Sequence, residues 1–188
     1  MRVLAACEFS GIVREAFKRR GHDAWSCDLL PTEIGGNHIR DDVLKHLDDG
    51  WDLMIAHPPC TYLSRAGARW WKDNERMNKA KEAYKFVRLL YDSRIPKVAI
   101  ENPVGLLSKW WRYPDQVIEP WMFGDIYRKR TCLWLKKLPP LMATIISTER
   151  NFWIHSNCRK RKGIHSGGLK SAITFQGIAD AMAAQWGI

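Results

Sequence analysis

Short, wholly apolar runs recur along the chain, and amphipathic stretches separate them. Val3-Leu4-Ala5-Ala6, Leu53-Met54-Ile55-Ala56 and Val98-Ala99-Ile100 carry no polar residue at alternate positions. Runs of this kind predict strands buried on both faces rather than half-exposed ones. Strands are predicted over residues 2–6, 23–27, 52–56, 97–100, 116–119 and 131–135. Helices are predicted over residues 11–20, 42–47, 74–93 and 175–186. The clearest helix starts at Asn74: Ala83, Phe86, Val87, Leu90 and Tyr91 recur at steps of three and four, with Lys81, Glu82, Lys85 and Arg88 between them. Strand–helix–strand alternation predicts one α/β domain over residues 1–188, built on a mostly parallel sheet with helices on both faces. Residues 141–171 break the pattern. They are polar, basic and weakly periodic, with Asn151, Asn157, Gly163, Gly167 and Gly168, and read as a long loop or small inserted lobe.

Composition narrows the setting. The chain has 188 residues, of which 46% are apolar, enough for one domain with a core. No apolar run approaches the ~20 residues of a membrane span, and the N-terminus lacks a signal-peptide pattern, so a cytoplasmic protein is expected. The five cysteines form an odd, scattered set that suits a reducing compartment. Cys7, Cys27 and Cys132 lie in apolar runs and read as small buried residues. The net charge of +10 points to a polyanionic partner, nucleic acid first. Basic residues cluster at Arg128-Lys129-Arg130, Lys136-Lys137 and Arg159-Lys160-Arg161-Lys162. Trp70-Trp71 and Trp110-Trp111 sit beside Arg69, Lys72, Lys109 and Arg112; such pairs either stack on bases or cap the core.

Two strand ends carry the candidate chemistry. The first apolar strand runs into Cys7-Glu8-Phe9-Ser10-Gly11 and then a helix, the usual cradle for a nucleotide-like cofactor. Asp28 ends the second strand, where an acid can accept from ribose hydroxyls, and Asp42 follows the next loop, within reach of an adenine amino group. Further on, His57-Pro58-Pro59-Cys60 and Glu101-Asn102-Pro103 each follow a buried strand. They put a thiol nucleophile and a carboxylic acid at the edge where an open α/β sheet builds its active site. A thiolate adds to C6 of a pyrimidine and makes C5 nucleophilic; an acid with a raised pKa protonates or hydrogen-bonds the N3 edge. Arg128 and Arg130, two residues apart on an extended segment, face one side, where they can grip the pyrimidine O2 and a phosphate.

With these motifs in order, the sequence resembles the DNA cytosine-5 methyltransferase family, in a compact form of the kind carried by phages and prophages. Pro58-Pro59-Cys60 resembles the family's nucleophile run, Glu101-Asn102-Pro103 its Glu-Asn-Val run, and Ile126-Tyr127-Arg128-Lys129-Arg130 its Gln-x-Arg-x-Arg run. The resemblance implies a Rossmann-like class I S-adenosylmethionine-dependent methyltransferase fold. It implies S-adenosyl-L-methionine as cofactor, held by Phe9, Ser10, Gly11, Asp28, Asp42 and Pro59. It implies Cys60, Glu101, Arg128 and Arg130 as catalytic residues, and DNA as partner, in a bacterial or phage-infected cell where such an enzyme belongs to restriction and modification. Residues 177–183 are similar to the family's C-terminal cofactor-side helix.

The departures are specific. Cys7-Glu8 stands where the family turn begins with Asp, Ile12-Val13-Arg14 replaces further glycines, and Ile126 replaces Gln. A target-recognition lobe would fall within residues 141–171, a short segment, so Arg159, Lys160, Arg161 and Lys162 are expected to hold the DNA backbone. Sequence specificity is then low or supplied by a partner subunit. Two alternatives stay open: the same chemistry on RNA or a free pyrimidine nucleotide, and a silent nucleic-acid-binding protein with this fold. His155, Cys158 and His165, with Cys132, give incomplete zinc spacing and are read as part of a basic loop, with no metal expected.

Overall fold

The structure, a computed structural model, describes residues 1–152 and 173–188. The long apolar runs become the centre of one seven-stranded sheet. Its strands are β1 (Arg2–Ala6), β2 (Asp23–Cys27), β3 (His38–Ile39), β4 (Leu53–Ala56), β5 (Lys97–Pro103), β6 (Gln116–Ile118) and β8 (Thr131–Lys136), in the order β3-β2-β1-β4-β5-β8-β6. The strands from β3 across to β5 pair in parallel, and β8 runs antiparallel to both β5 and β6. A separate two-stranded ladder joins β7 (Tyr127–Arg128) to β9 (Asn151–Phe152).

Each face of the sheet has its own core, and strand alternation decides which residue joins which. Val3, Ala5, Leu53, Ile55, Ala99 and Leu133 pack beneath α1 (Ile12–Lys18) and α4 (Gln176–Trp186). Leu4, Ala6, Met54, Ala56, Val98, Ile100 and Trp134 pack against α2 (Asn74–Tyr91) on the other face. Burial on both sides explains why these runs show no polar alternation. In α2, Asp73 caps the N-terminus by accepting from the Arg76 N–H at 2.7 Å, and Ala80, Val87 and Leu90 turn inward.

Three sequence expectations change in detail. The predicted helix at residues 42–47 is a single 3-10 turn over Val43–His46 capped by Asp42. The strand predicted to stop at residue 100 continues to Pro103, because β8 offers Glu101, Asn102 and Pro103 the partners Leu133, Cys132 and Thr131. The short α3 (Leu106–Trp110), β3, β7 and β9 carry no periodicity long enough to read.

The chain winds outward from β1 through β2 to β3, then returns to the other side of β1 as β4. The strand order therefore reverses between β1 and β4. In an open α/β sheet this switch point, at the C-terminal strand ends, is where ligands bind. The turn after β1 and the Cys60 loop after β4 both open onto it.

The tryptophan pairs serve packing where they are described. Trp111 lies between two guanidiniums, Arg88 at 4.9 Å and Arg112 at 5.0 Å from its ring, and stacks on Trp134. Trp110 meets Tyr84 edge-on, and Trp71 packs against the α2 core. Among the described residues no helix is long and apolar enough to cross a membrane.

Candidate active site

The turn from Cys7 to Gly11 is held by a buried carboxylate. Glu8 is 4% exposed. Its Oε1 accepts from the Ser10 hydroxyl at 2.7 Å and from the Val13 N–H at 3.1 Å, so it organises the first turn of α1. Its Oε2 is buried with no partner among the described residues. Gly11 has φ 77°, and a Cβ there would run into Ile34 and the Arg14 guanidinium, so glycine is required twice over. Arg14 is itself fully buried. It donates to Ser26 Oγ at 2.9 Å and to the carbonyls of Ile34 at 3.0 Å and Gly35 at 2.9 Å, which ties the loop after β2 to the turn. This stapling role was not legible in the sequence, where Arg14 reads only as a substitute for a glycine.

Asp28 and Asp42 come together at the same strand ends. Burial first, then the charges of Asp28 and Asp42 among others, pushes the Cys7 thiol far above its ordinary pKa. Asp28 Oδ1 accepts from the Leu30 N–H at 2.8 Å, and Asp42 Oδ1 caps the 3-10 turn through the Leu44 N–H at 3.0 Å. Each acid therefore serves local structure with one oxygen. The residues fit a bound nucleoside-like cofactor: a buried, unpartnered carboxylate oxygen on Glu8, a left-handed glycine and two carboxylates line one rim of the switch point.

The second half of the site is built from β4, β5 and the residues flanking them. The His57 N–H donates to the Ala6 carbonyl at 2.9 Å, and the Asn102 side chain donates to the Pro58 carbonyl at 2.9 Å. The Cys60 carbonyl accepts from the N–H groups of Leu63 at 3.0 Å and Ser64 at 2.8 Å, closing a tight turn. Pro59 is exposed and Cys60 partly so. Beyond the turn, Arg65 N–H donates to Val104 O at 2.9 Å and Leu106 N–H to Leu63 O at 2.8 Å, clasping the Cys60 loop to the segment after Glu101.

The charge of Glu101 reaches the Cys60 thiol. Burial first, then the Glu101 carboxylate, raises the Cys60 thiol pKa; Lys129 pulls it down. Burial would also raise Glu101, but His57, Lys129 and the Thr131 hydroxyl outweigh it and hold the carboxyl below its ordinary value. The direction is opposite to the raised value expected from the sequence. In the free protein the pair is therefore a thiol beside a carboxylate at neutral pH.

The sequence singled out Arg128 and Arg130 from the basic triplet. Both are exposed, and Arg128 lies in β7, paired with Phe152 at the mouth of the segment that follows. The charge that reaches both Cys60 and Glu101 is that of Lys129, whose Nζ also stands 5.7 Å from the Phe175 ring centroid. Three further residues of the site, His57, Thr131 and Thr174, gave no motif signal. Only the position of His57, three before the cysteine, could have drawn notice. Replacing Lys129 by methionine should slow alkylation of Cys60 by iodoacetamide severalfold at pH 8, because the thiol loses the positive charge that lowers its pKa. An unchanged rate overturns this assignment.

Cys27 and Cys132 are buried as expected, and Cys7 is partly buried. Arg159, Lys160, Arg161 and Lys162, with His155, Cys158 and His165, lie outside the described residues. Among the described residues no group of three His, Cys, Asp or Glu side chains could hold a metal.

Comparison with solved structures identifies the fold class. The chain is similar to a prophage-encoded E. coli protein described as a DNA modification methyltransferase, with TM-score 0.52 and 16% identity over 78% of this chain and 52% of that one. It is also similar to the S. pombe Dnmt2 methyltransferase, with TM-score 0.49 and 14% identity over 81% of this chain and 51% of that one. The fold is the Rossmann-like class I S-adenosylmethionine-dependent methyltransferase fold. The chain spans about half the length of the solved structures it matches. No protein-family profile matches the sequence, and no curated protein sequence does.

Proposed function

We propose that this protein is an S-adenosylmethionine-dependent methyltransferase that methylates C5 of cytosine in DNA, with Cys60 as nucleophile. One observation carries the reading. Cys60 follows β4 and Glu101 lies in the adjacent β5, and the Glu101 charge is felt at the Cys60 sulfur. A protein that only binds has no use for that pair.

Phe9, Ser10, Gly11, Asp28, Asp42 and Pro59 line the cofactor side, and Glu8 Oε2 joins them as a free acceptor. When bound, S-adenosylmethionine supplies an electrophilic methyl group. The protein's part is to make C5 of the pyrimidine a nucleophile. Sγ of Cys60 bonds to C6, and the thiol loses its proton; N3 gains one. A thiol beside a carboxylate already holds the single proton this exchange needs, so Glu101 begins and ends the addition as a carboxylate. After C5 is methylated, the C5 proton leaves to a base, its bonding electrons form C5=C6 as the Sγ–C6 bond breaks, and the N3 proton returns to the sulfur, regenerating the Cys60 thiol. Lys129 steadies the negative charge that passes between sulfur and carboxylate, and Arg128 and Arg130 contact the pyrimidine and its phosphate. The target base must leave the helical stack to reach Cys60.

The net charge of +10 favours a polymer over a free nucleotide. Residues 159–162 supply backbone contacts, and sequence specificity beyond them comes from a partner subunit or is low. Transfer of labelled methyl groups to duplex DNA, single-stranded DNA, RNA and dCMP tests the substrate. Labelling of RNA or dCMP alone would overturn the DNA reading. Labelling of none, with cofactor still bound, would favour a silent binding module. Asp28→Ala should weaken S-adenosylmethionine binding by about 1–3 kcal/mol, the cost of a polar contact left unmade. Calorimetry measures it, and wild-type affinity in the variant removes Asp28 from the cofactor site.

A further inference from the structure

His57 has no assigned role, yet its ring is almost wholly enclosed. Its side chain is 4% exposed. Nδ1 stands 3.3 Å from Glu101 Oε2 and 3.4 Å from Thr174 Oγ1, while Nε2 is buried and has no partner among the described residues. A histidine kept only for packing would be expected to satisfy both nitrogens, since an unpaired buried polar atom costs about 1–3 kcal/mol. An apolar side chain would fill the same space without that cost. The backbone holds the ring in place: the His57 N–H extends the β1–β4 ladder to Ala6 O, and Thr174, just ahead of α4, closes over Nδ1.

Strand alternation brings Glu101 to this ring. Ala99 and Glu101 face the α1/α4 side of β5, and the Ala99 side chain is part of that core. Glu101 follows Ala99 on that face, and the parallel register brings it beside His57, the residue just after β4. The groups that face its carboxylate are His57, Lys129 and Thr131, with the Cys60 thiol close by. Lys129 and Thr131 come from the far side of β5. His57 is the one that comes from the same loop as the nucleophile.

We infer that His57 is the positioning residue for Glu101. Its Nδ1–H donates to Oε2 and fixes the carboxylate so that the other oxygen is the one presented to Cys60 and the pyrimidine. Thr174 Oγ1 holds the ring from the other side, 3.4 Å from Nδ1. This rests on the cytosine-5 reading for its consequence, but the His57–Glu101 coupling is a property of the free protein and can be read without substrate. With the donor in place, Glu101 enters the reaction ionised and able to take the proton that leaves Sγ. Without it, burial favours the protonated acid, and the thiol proton has nowhere nearby to go.

The sign of the pH effect follows. His57 helps hold the Glu101 carboxyl below its ordinary value, so activity persists as the pH falls. Removing the donor raises the carboxyl, and the acid limb of the rate profile moves to higher pH. His57→Phe removes the donor and fills the space; His57→Gln moves the amide toward the Nε2 position and serves if the first variant fails to fold. His57→Asn keeps a donor near Nδ1 and should restore wild-type behaviour. Single-turnover methyl transfer in His57→Phe should fall about tenfold or more at the acid end, with the deficit shrinking toward alkaline pH. A loss by the same factor at every pH means that His57 is merely structural and overturns the inference.

Carbon-13 spectra of protein labelled at the glutamate carboxyl, with Glu101 assigned from Glu101→Gln, report the coupling directly. The Glu101 titration should move up in His57→Phe or His57→Gln and stay in place in His57→Asn. No movement overturns the inference whatever the activity. Movement in a protein that methylates no substrate upholds the coupling and sinks the cytosine-5 reading instead.

Discussion

Cys60→Ser should abolish methyl transfer, lowering the rate by a factor on the order of 10⁴ or more, as loss of a covalent nucleophile does elsewhere. The fold should survive the change. The turn at this position is held by the backbone carbonyl of residue 60, which accepts from Leu63 and Ser64, and by the Asn102–Pro58 bond; none of these involves sulfur. Cofactor affinity should survive too, because the Phe9–Gly11 turn and Asp28 belong to other strand ends. The reason for the loss is chemical. Sulfur is soft, adds to conjugated carbon and leaves again, and Lys129 lowers its pKa; a serine hydroxyl is far harder to ionise in the same place. DNA containing 5-fluorocytosine gives a second readout. Wild-type protein should form a covalent complex that resists denaturation, because fluorine at C5 cannot leave as a proton, and Cys60→Ser should form none. Residual turnover near the wild-type rate, or an active wild type that never traps, would falsify the role given to Cys60.

What the sequence made legible was whatever repeats or punctuates. The apolar runs of β1 and β4 and the three-and-four spacing of α2 come from burial, which acts on every residue of an element, so they survive in a single sequence. The Cys60 and Glu101 motifs were legible because Pro58-Pro59 and Pro103 mark strand ends. Their shared cleft follows from strand order once β4 and β5 are adjacent. Pairing across the sheet left no such trace. The extension of β5 through Glu101 depends on Leu133 and Cys132, more than thirty residues away, and local pattern carries none of that register. The electrostatics of the site were illegible for the same reason. Glu101 was expected to be raised by burial, and burial does push it that way; His57 and Lys129, brought in by other elements, reverse the outcome. Strand alternation over residues 128–130 hides Lys129 between two arginines, whereas the extended ladder stops at Arg128. Arg14 was hidden by its charge: a fully buried arginine is rare enough that only its five polar partners explain it.

Gly105→Ala should damage both stability and catalysis, although residue 105 touches no reacting group. Its φ of 178° is ordinary extended backbone, so the constraint is space and not conformation. A Cβ there would press into the Leu63 carbonyl, with the Ser64 backbone just behind it. Those atoms cannot move cheaply. Leu63 O accepts from Leu106 N–H, Ser64 bridges to Gly105, and Ser64 N–H is bonded to the Cys60 carbonyl, so a push at residue 63 travels through one turn to the nucleophile. The glycine lets the loop that follows β5 lie against the loop that follows β4, which holds the Cys60 turn beside the strand that carries Glu101. Overpacking of this kind costs about 1–3 kcal/mol. At this chain length that should lower Tm by about 2–4 °C for each kcal/mol. A shift of the nucleophile by about 1 Å costs on the order of 10²-fold in rate. The two effects separate experimentally. Single-turnover methyl transfer well below the variant's Tm isolates the misplacement, and S-adenosylmethionine affinity, proposed to come mainly from the turns after β1, β2 and β3, should stay near wild type. A variant that loses stability but methylates at the wild-type rate would mean the clasp serves folding alone.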